Sequence, residues 1–146
     1  MTSWEEPKSK ALWIVDLDGT LALRGDRNPY DWHRVGEDTP NPPVVAVVQA
    51  LILAGHPVAY VSGRKEQCRR QTEMWLEANV GYWDDAEGLW MRADHDNRPD
   101  VKVKRDIYQR NFVLREVAGV IDDRASVTAM WRSLGLTVLQ VAEGNY

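Results

Sequence analysis

The stretch Asp16-Leu17-Asp18-Gly19-Thr20 sets two carboxylates two residues apart, directly after the apolar run Trp13-Ile14-Val15. Side chains alternate along a strand with period two, so residues i and i+2 at its end share a face and the two acids aim into one space. A purely structural role is a poor explanation, because unpaired acids at a buried strand end are costly. A chemical role is direct. With Asp16 as a nucleophile toward phosphorus, Asp18 can protonate the leaving oxygen and later take a proton from water. Gly19 and Thr20 let the backbone turn so that amides face a phosphate. Phosphoryl transfer otherwise needs charge neutralisation, for which the sequence offers Lys104, Arg64 and the Ser62 hydroxyl.

The elements between these residues must bring them together. Residues 11–16 read as a buried strand, and the polar, turn-rich text from Leu21 to Thr39 reads as an extended hairpin or flap. Asn41 followed by Pro42 and Pro43 marks the start of a helix that ends near Ala54-Gly55. Pro57 to Val61 is a second strand, closed by Ser62-Gly63-Arg64 and followed by a helix from Lys65 to about Asn79. A short strand at Leu89–Met91, a helix at Asp100–Phe112, a strand at Val117–Ile121, a helix at Arg124–Leu134 and a strand at Thr137–Val141 complete the pattern. Strands separated by helices predict an α/β fold, a Rossmann-like, mostly parallel sheet with helices on both faces. Ligands of such sheets bind beyond the carboxyl ends of the strands. That rule collects Asp16 and Asp18, then Ser62 and Arg64, then Asp122 and Asp123 of VIDDR, with Lys104 one turn into a helix. Four converging carboxylates repel one another, so a hard divalent cation is implied, and Mg2+ suits carboxylates that leave room for water and a phosphate.

At 146 residues the chain is long enough for one core and too short for two. The reading is a short N-terminal segment, 1–10, before a single domain, 11–146. No apolar stretch spans a bilayer and the start, MTSWEEPKSK, lacks a signal-peptide core, so no membrane association is expected. One cysteine, Cys68, cannot form an internal disulfide, which fits a reducing, cytoplasmic setting. A net charge of -4 argues against a non-specific nucleic-acid coat while leaving room for a nucleic-acid end held at one local site.

DLDGT, the strand-end Ser, the Lys and the DD pair resemble the four motifs of the haloacid dehalogenase superfamily of aspartate-nucleophile phosphatases. The sequence is more similar still to the 3′-phosphatase domain of phage polynucleotide kinase-phosphatase, through DLDGTLA, NPYDW, NPPVV, VSGR, RPDVKVKRDIY, IDDR, MWR..G and QVA.G, from about residue 12 onward. The resemblance implies a capless fold with a β-hairpin flap, Asp16 as nucleophile and Asp18 as acid-base. It implies Mg2+ at Asp16, the Asp18 carbonyl, Asp122 and Asp123. Arg27 and Arg64 would hold phosphate with Thr20, Ser62 and Gly63; Lys104 would complete the charge balance, and Asp100 would support that lysine or an arginine. The expected substrate is a nucleic-acid 3′-phosphate end, DNA or RNA, in nucleic acid repair, within the cytoplasm of a host for a phage-encoded protein.

Blander roles stand beside these. Asp100 and Asp123 each precede a helical pattern and Ser62 precedes another, where N-capping is the alternative. Arg27, taken alone, reads as a solvated flap residue, and Lys102, Lys104, Arg105 and Arg110 as mostly a solvated helix face. Of the seven tryptophans, Trp13, Trp75 and Trp131 read as core, and Trp32 beside the flap is the candidate for a nucleobase contact. No GxxxxGK[ST] loop occurs, so the 5′-kinase half is absent from this sequence; either a kinase is a separate protein, with a ligase another candidate partner, or this chain works without one. The interval from Asp18 to Ser62 must supply a flap, a helix and a strand, and that from Arg64 to Lys104 a helix, a short strand and a loop, so neither leaves the roughly 40 residues a separate lid needs. The site should therefore be open to a polymer end. The alternative is a phosphatase of the same superfamily acting on a phosphoprotein or a small phosphomonoester.

Overall fold

The computed structural model of the protein describes residues 10–146. The segment expected at 1–10 lies, but for Lys10, outside them. The apolar run forms β1 (Leu12–Val15), with β2 (Ala22–Leu23) and β3 (Thr39–Pro40) following. Prolines at the first two positions open α1 (Pro42–Leu53), where the missing N–H groups cost no helical hydrogen bond. β4 (Val58–Lys65), α2 (Arg69–Asn79), β5 (Gly88–Arg92), α3 (Asp100–Asn111), β6 (Val117–Arg124), α4 (Ala125–Ser133) and β7 (Val138–Gly144) then alternate. The main sheet has the order β5-β4-β1-β6-β7, every neighbouring pair parallel.

Alternation along β1 divides the core. Leu12 and Ile14 pack with Tyr108 of α3, Phe112 just past its end, and Val127, Met130 and Trp131 of α4. Val15 packs on the other side with Val44, Val45 and Val48 of α1 and Trp75 and Leu76 of α2. Helices thus cover both faces, as a parallel sheet requires. The register sets Val15 beside Tyr60 on β4 and Ile121 on β6, so the residues just past them, Asp16, Ser62 and Asp122, emerge at one rim. From β1 the chain builds outward through β4 and β5, then returns to β6 and β7. The reversal beside β1 is where α/β sheets open a crevice.

The stretch expected as an extended hairpin or flap, Leu21 to Thr39, is a flap closed by a short antiparallel pair. β2 and β3 pair over only two residues, and a 3-10 turn spans Trp32–Glu37 between them. Val35 of that turn is fully buried, and its insertion into the core parts the two chains before a longer ladder can form. The helix expected from Lys65 begins as α-helix only at Arg69, after a 3-10 turn at Glu66–Cys68 whose Gln67 N–H donates to Asp94 Oδ1. β4 and β6 run on through their motifs to Lys65 and Arg124, because pairing resumes after a register shift at Lys65 with Arg92 and at Arg124 with Gly144. Among the described residues no helix is long and apolar enough to cross a membrane.

Candidate active site

Asp16 leaves β1 with its N–H donating to Ile121 O at 2.9 Å, which ties it to the adjacent strand. The turn behind it converges on one acceptor, Leu17 O, which takes the N–H groups of Thr20, Leu21 and Ala22. Gly19 makes this turn at φ +80, a region costly for other residues, and a Cβ there would strike the Asp123 carboxylate. The Asp16 carboxylate is held from both sides: Lys104 Nζ donates to Oδ1 at 2.7 Å and Thr20 Oγ1 to Oδ2 at 2.8 Å. Thr20 is fully buried, directed at Asp16 and Asp123 and outside the cleft lining.

Asp122 and Asp123 close the other wall. Asp122 Oδ1 accepts the N–H groups of Asp123 and Arg124, and its Oδ2 accepts Lys104 Nζ at 3.2 Å and Trp131 Nε1 at 3.3 Å. Asp123 accepts Thr20 Oγ1 at 3.2 Å and the hydroxyl of Tyr146. Neither Asp123 nor Asp100 caps a helix: Arg124 and Pro99 hold the cap positions, with no side-chain cap bond in either case. One carboxylate oxygen from each of Asp16, Asp122 and Asp123 lies within 4.8 Å of the others. Burial, then the neighbouring Asp122, push the Asp16 carboxyl well above its usual range against the pull of Lys104, and burial likewise raises Asp123. For Lys104, burial lowers the pKa but Asp122 and Asp16 outweigh it, so its ammonium is held above its ordinary value. Three buried carboxyl groups crowd round one cation and disfavour one another's charge, and an all-oxygen donor set of this kind fits a hard divalent cation such as Mg2+.

Asp18 differs from Asp16. Its side chain keeps 42% of its surface exposed and faces the cleft. Arg64 grips it with Nε at 3.0 Å and Nη2 at 2.8 Å. Some loss of hydration raises the Asp18 pKa, but Arg64, with Arg27 farther off, outweighs it and holds the carboxyl below its usual value. Behind this pair lies Asp38, whose side chain is wholly buried. It takes Arg64 Nη2 at 2.9 Å and both Nε and Nη2 of Arg27, at 2.7 and 3.0 Å. Arg27 is therefore a buried residue, not a solvated one, and the guanidinium groups expected at a phosphate are here engaged with Asp18 and Asp38. Ser62 is fully buried, its Oγ accepting Arg64 N–H at 3.1 Å, and it too lies outside the cleft lining. Gly63 gives its carbonyl to Arg92 Nε at 2.7 Å, and Asp100 packs against its α-carbon. Asp100 pairs with Arg92 at 2.8 Å and Arg124 at 3.4 Å. Lys102 and Arg110 are exposed, whereas Lys104 on the same helix is buried.

The cleft has a volume of about 990 Å3 and contains Asp16, Asp18, Arg27, Arg64, Lys104 and Asp123 together. Sequence reasoning missed Asp38, Arg92 and Tyr146. The first hides in a polar loop with no periodic pattern, and the other two carry no motif. A parallel sheet with Asp16 and Asp18 just past its central strand is the arrangement of phosphatases of the haloacid dehalogenase type. A haloacid dehalogenase-like hydrolase from Streptococcus pneumoniae shares this fold at TM-score 0.60 and 12% identity, over 90% of this chain and 84% of that one. The chain belongs to the polynucleotide kinase PNKP phosphatase domain family, whose sequence model matches residues 10–146.

A chain in the structure of the Pnkp1/Rnl/Hen1 RNA repair complex is similar at 33% identity and TM-score 0.86, covering 99% of this chain and 47% of that one. A putative bifunctional polynucleotide kinase/RNA ligase of Autographa californica nuclear polyhedrosis virus is 33% identical over 134 residues, 88% of this chain and 19% of its own length. The chain thus spans about a fifth of that viral relative and about half of the solved one.

Proposed function

We propose that this phosphatase removes 3′-terminal phosphates from DNA or RNA ends, with Mg2+ bound, through an aspartyl-phosphate on Asp16. The observation that carries the reading is the placing of the Asp16 carboxylate between Lys104 and Thr20, with Asp18 beside it in an open cleft. Lys104 and Thr20 fix both oxygens of Asp16, so the nucleophile meets phosphorus in one orientation. As the bond from Asp16 to phosphorus forms, the bond from phosphorus to the 3′ oxygen breaks, and Asp18 gives that oxygen its proton. Asp18 then takes a proton from the water that cleaves the aspartyl-phosphate. Paired with Arg64, Asp18 is anionic, the form the second step needs; its acid form in the first step calls for the phosphate's own charge to loosen that pair. Mg2+ held by Asp16, Asp122, Asp123 and the Asp18 carbonyl would neutralise phosphate charge. Arg27 and Arg64 supply the remaining positive charge at the cleft wall, with Ser62 and Gly63 shaping the backbone that presents Arg64 and Asp100 supporting Arg92 and Arg124.

The similarity to a chain of an RNA repair complex and to a putative polynucleotide kinase/RNA ligase supports a polynucleotide end as substrate and a kinase or ligase as working partner. The test compares a 3′-phosphorylated oligonucleotide, its 5′-phosphorylated isomer, a phosphoserine peptide and a free sugar phosphate. The 3′-phosphorylated strand should have the highest kcat/KM by at least an order of magnitude. Equal rates on the sugar phosphate or the peptide would overturn the substrate assignment.

A further inference from the structure

Tyr30 is 80% exposed on the flap, and it lines the same cleft as Asp16 and Asp18. So large an exposed ring contributes little to the core, yet its backbone is tied down. Its N–H donates to Asn28 Oδ1 at 2.9 Å, and Pro29 before it fixes one backbone torsion. Trp32, also in the cleft wall, meets the Tyr30 ring edge to face, with centroids 6.5 Å apart and planes at 84°. The loop carrying them is tied to the site, since Arg27 Nη1 donates to Asn28 O at 3.2 Å and Asp31 O at 3.4 Å while its other nitrogens hold Asp38. On the same flap Arg24 lines the cleft, exposed and without an ion pair among the described residues.

From this arrangement we propose that Tyr30, braced by Trp32, is a stacking platform for the nucleobase of the 3′-terminal nucleotide, and that Arg24 faces the next phosphodiester. This rests on the reading of the site as a polynucleotide 3′-phosphatase and adds what selects a nucleotide end there. The catalytic wall recognises only a phosphate, a feature every phosphomonoester shares. The flap offers an aromatic face and a cation unpaired among the described residues, on one loop tied to the site, matched to a base joined to a phosphodiester. Stacking accepts any base because each presents a π-face, so the platform discriminates nucleotide from non-nucleotide, with little preference among bases.

The experiment measures kcat/KM for wild type, Tyr30→Ala and Tyr30→Phe on a 3′-phosphorylated oligonucleotide with an ordinary terminal nucleotide and on the same strand with an abasic terminal nucleotide. Because the Tyr30 side chain is exposed, the variants should keep the wild-type melting temperature. Tyr30→Ala should lose about five- to a hundredfold on the ordinary strand, mostly in KM, and Tyr30→Phe should lose little. The abasic strand should be a comparably poor substrate for wild type, with no further loss in Tyr30→Ala. An ordinary strand turned over by wild type and Tyr30→Ala alike would overturn the platform and leave the proposed activity standing. An equal loss by Tyr30→Ala on both strands would show a role in flap position instead, and overturn it too. A wild type inactive on 3′-phosphorylated strands would overturn the activity and the platform together.

Discussion

Asp38 takes hydrogen bonds from Arg27 and Arg64 in a place where none of the three side chains retains more than 3% of its surface. A lone buried charge is prohibitive, and here one carboxylate answers two guanidinium groups while Asp18 answers from the cleft side. Asp38→Ala removes the buried carboxylate both arginines share, leaving Arg64 to Asp18 and Arg27 to backbone carbonyls. The cost of breaking such a buried pair is about 3–5 kcal/mol, so the urea midpoint of unfolding should fall markedly. A loss below about 1 kcal/mol would show that the arginines find water and that the cluster has little structural weight. Asp38 was not legible in the sequence, because its burial is created by partners at positions 27 and 64 and by the carbonyl contact that Trp75 Nε1 makes with it at 2.7 Å. Asp16 and Asp18 were legible for the opposite reason, since an apolar strand, a spacing of two and a Gly-Thr break are local signals. The two acids still came out unlike one another, one buried under Lys104 and one exposed to Arg64, and that contrast is tertiary.

The helix α3 delivers Lys104, and its head is pinned by contacts that no periodicity reveals. Arg92 of β5 donates both to Gly63 O on β4 and to Asp100 Oδ1 on α3, at 2.7 and 2.8 Å. The bare α-carbon of Gly63 lets the Asp100 carboxylate lie against it, and an added methyl would overlap that carboxylate. Gly63→Ala should push the start of α3 outward and carry Lys104 off Asp16. A misplacement of about 1 Å costs on the order of a hundredfold in rate, so kcat should fall by about that factor with only a small fall in melting temperature. Wild-type kcat in this variant would mean that α3 is not positioned through Gly63. The start of α1 was readable from Pro42 and Pro43 and the other helices from the alternation of apolar runs, except the start of α2, which a 3-10 turn at Glu66–Cys68 delays to Arg69. The 3-10 turn within the flap was not legible, because Val35 is one apolar residue in polar text and its burial decides the turn.

At one rim the carboxylates of Asp16, Asp122 and Asp123 converge, with Lys104 donating to the first two. A cation binding there binds the native fold alone, so saturation at about a hundred times its dissociation constant should stabilise by about 2.7 kcal/mol. Mg2+ should therefore raise the melting temperature and chelation should remove both the rise and the activity. Asp122→Asn should blunt the shift. Full activity of metal-free protein in excess chelator would contradict a metal-assisted site. The parallel sheet, its switch point beside β1 and the open cleft together explain how a chain this short brings four strand ends and one helix to bear on a phosphate.

Covalent capture at Asp16 joins nucleophile, metal and substrate in a single observation. The protein is mixed with a 3′-phosphorylated oligonucleotide and Mg2+, quenched, reduced with borohydride and digested for mass spectrometry. Reduction of an aspartyl-phosphate converts that residue to homoserine, which is expected at position 16 with the 3′-phosphorylated strand, and neither with the 5′-phosphorylated isomer nor in chelator. Turnover of the 3′-phosphorylated strand with Asp16 unmodified at every quench time, or modification at another carboxylate, would contradict Asp16 as the nucleophile.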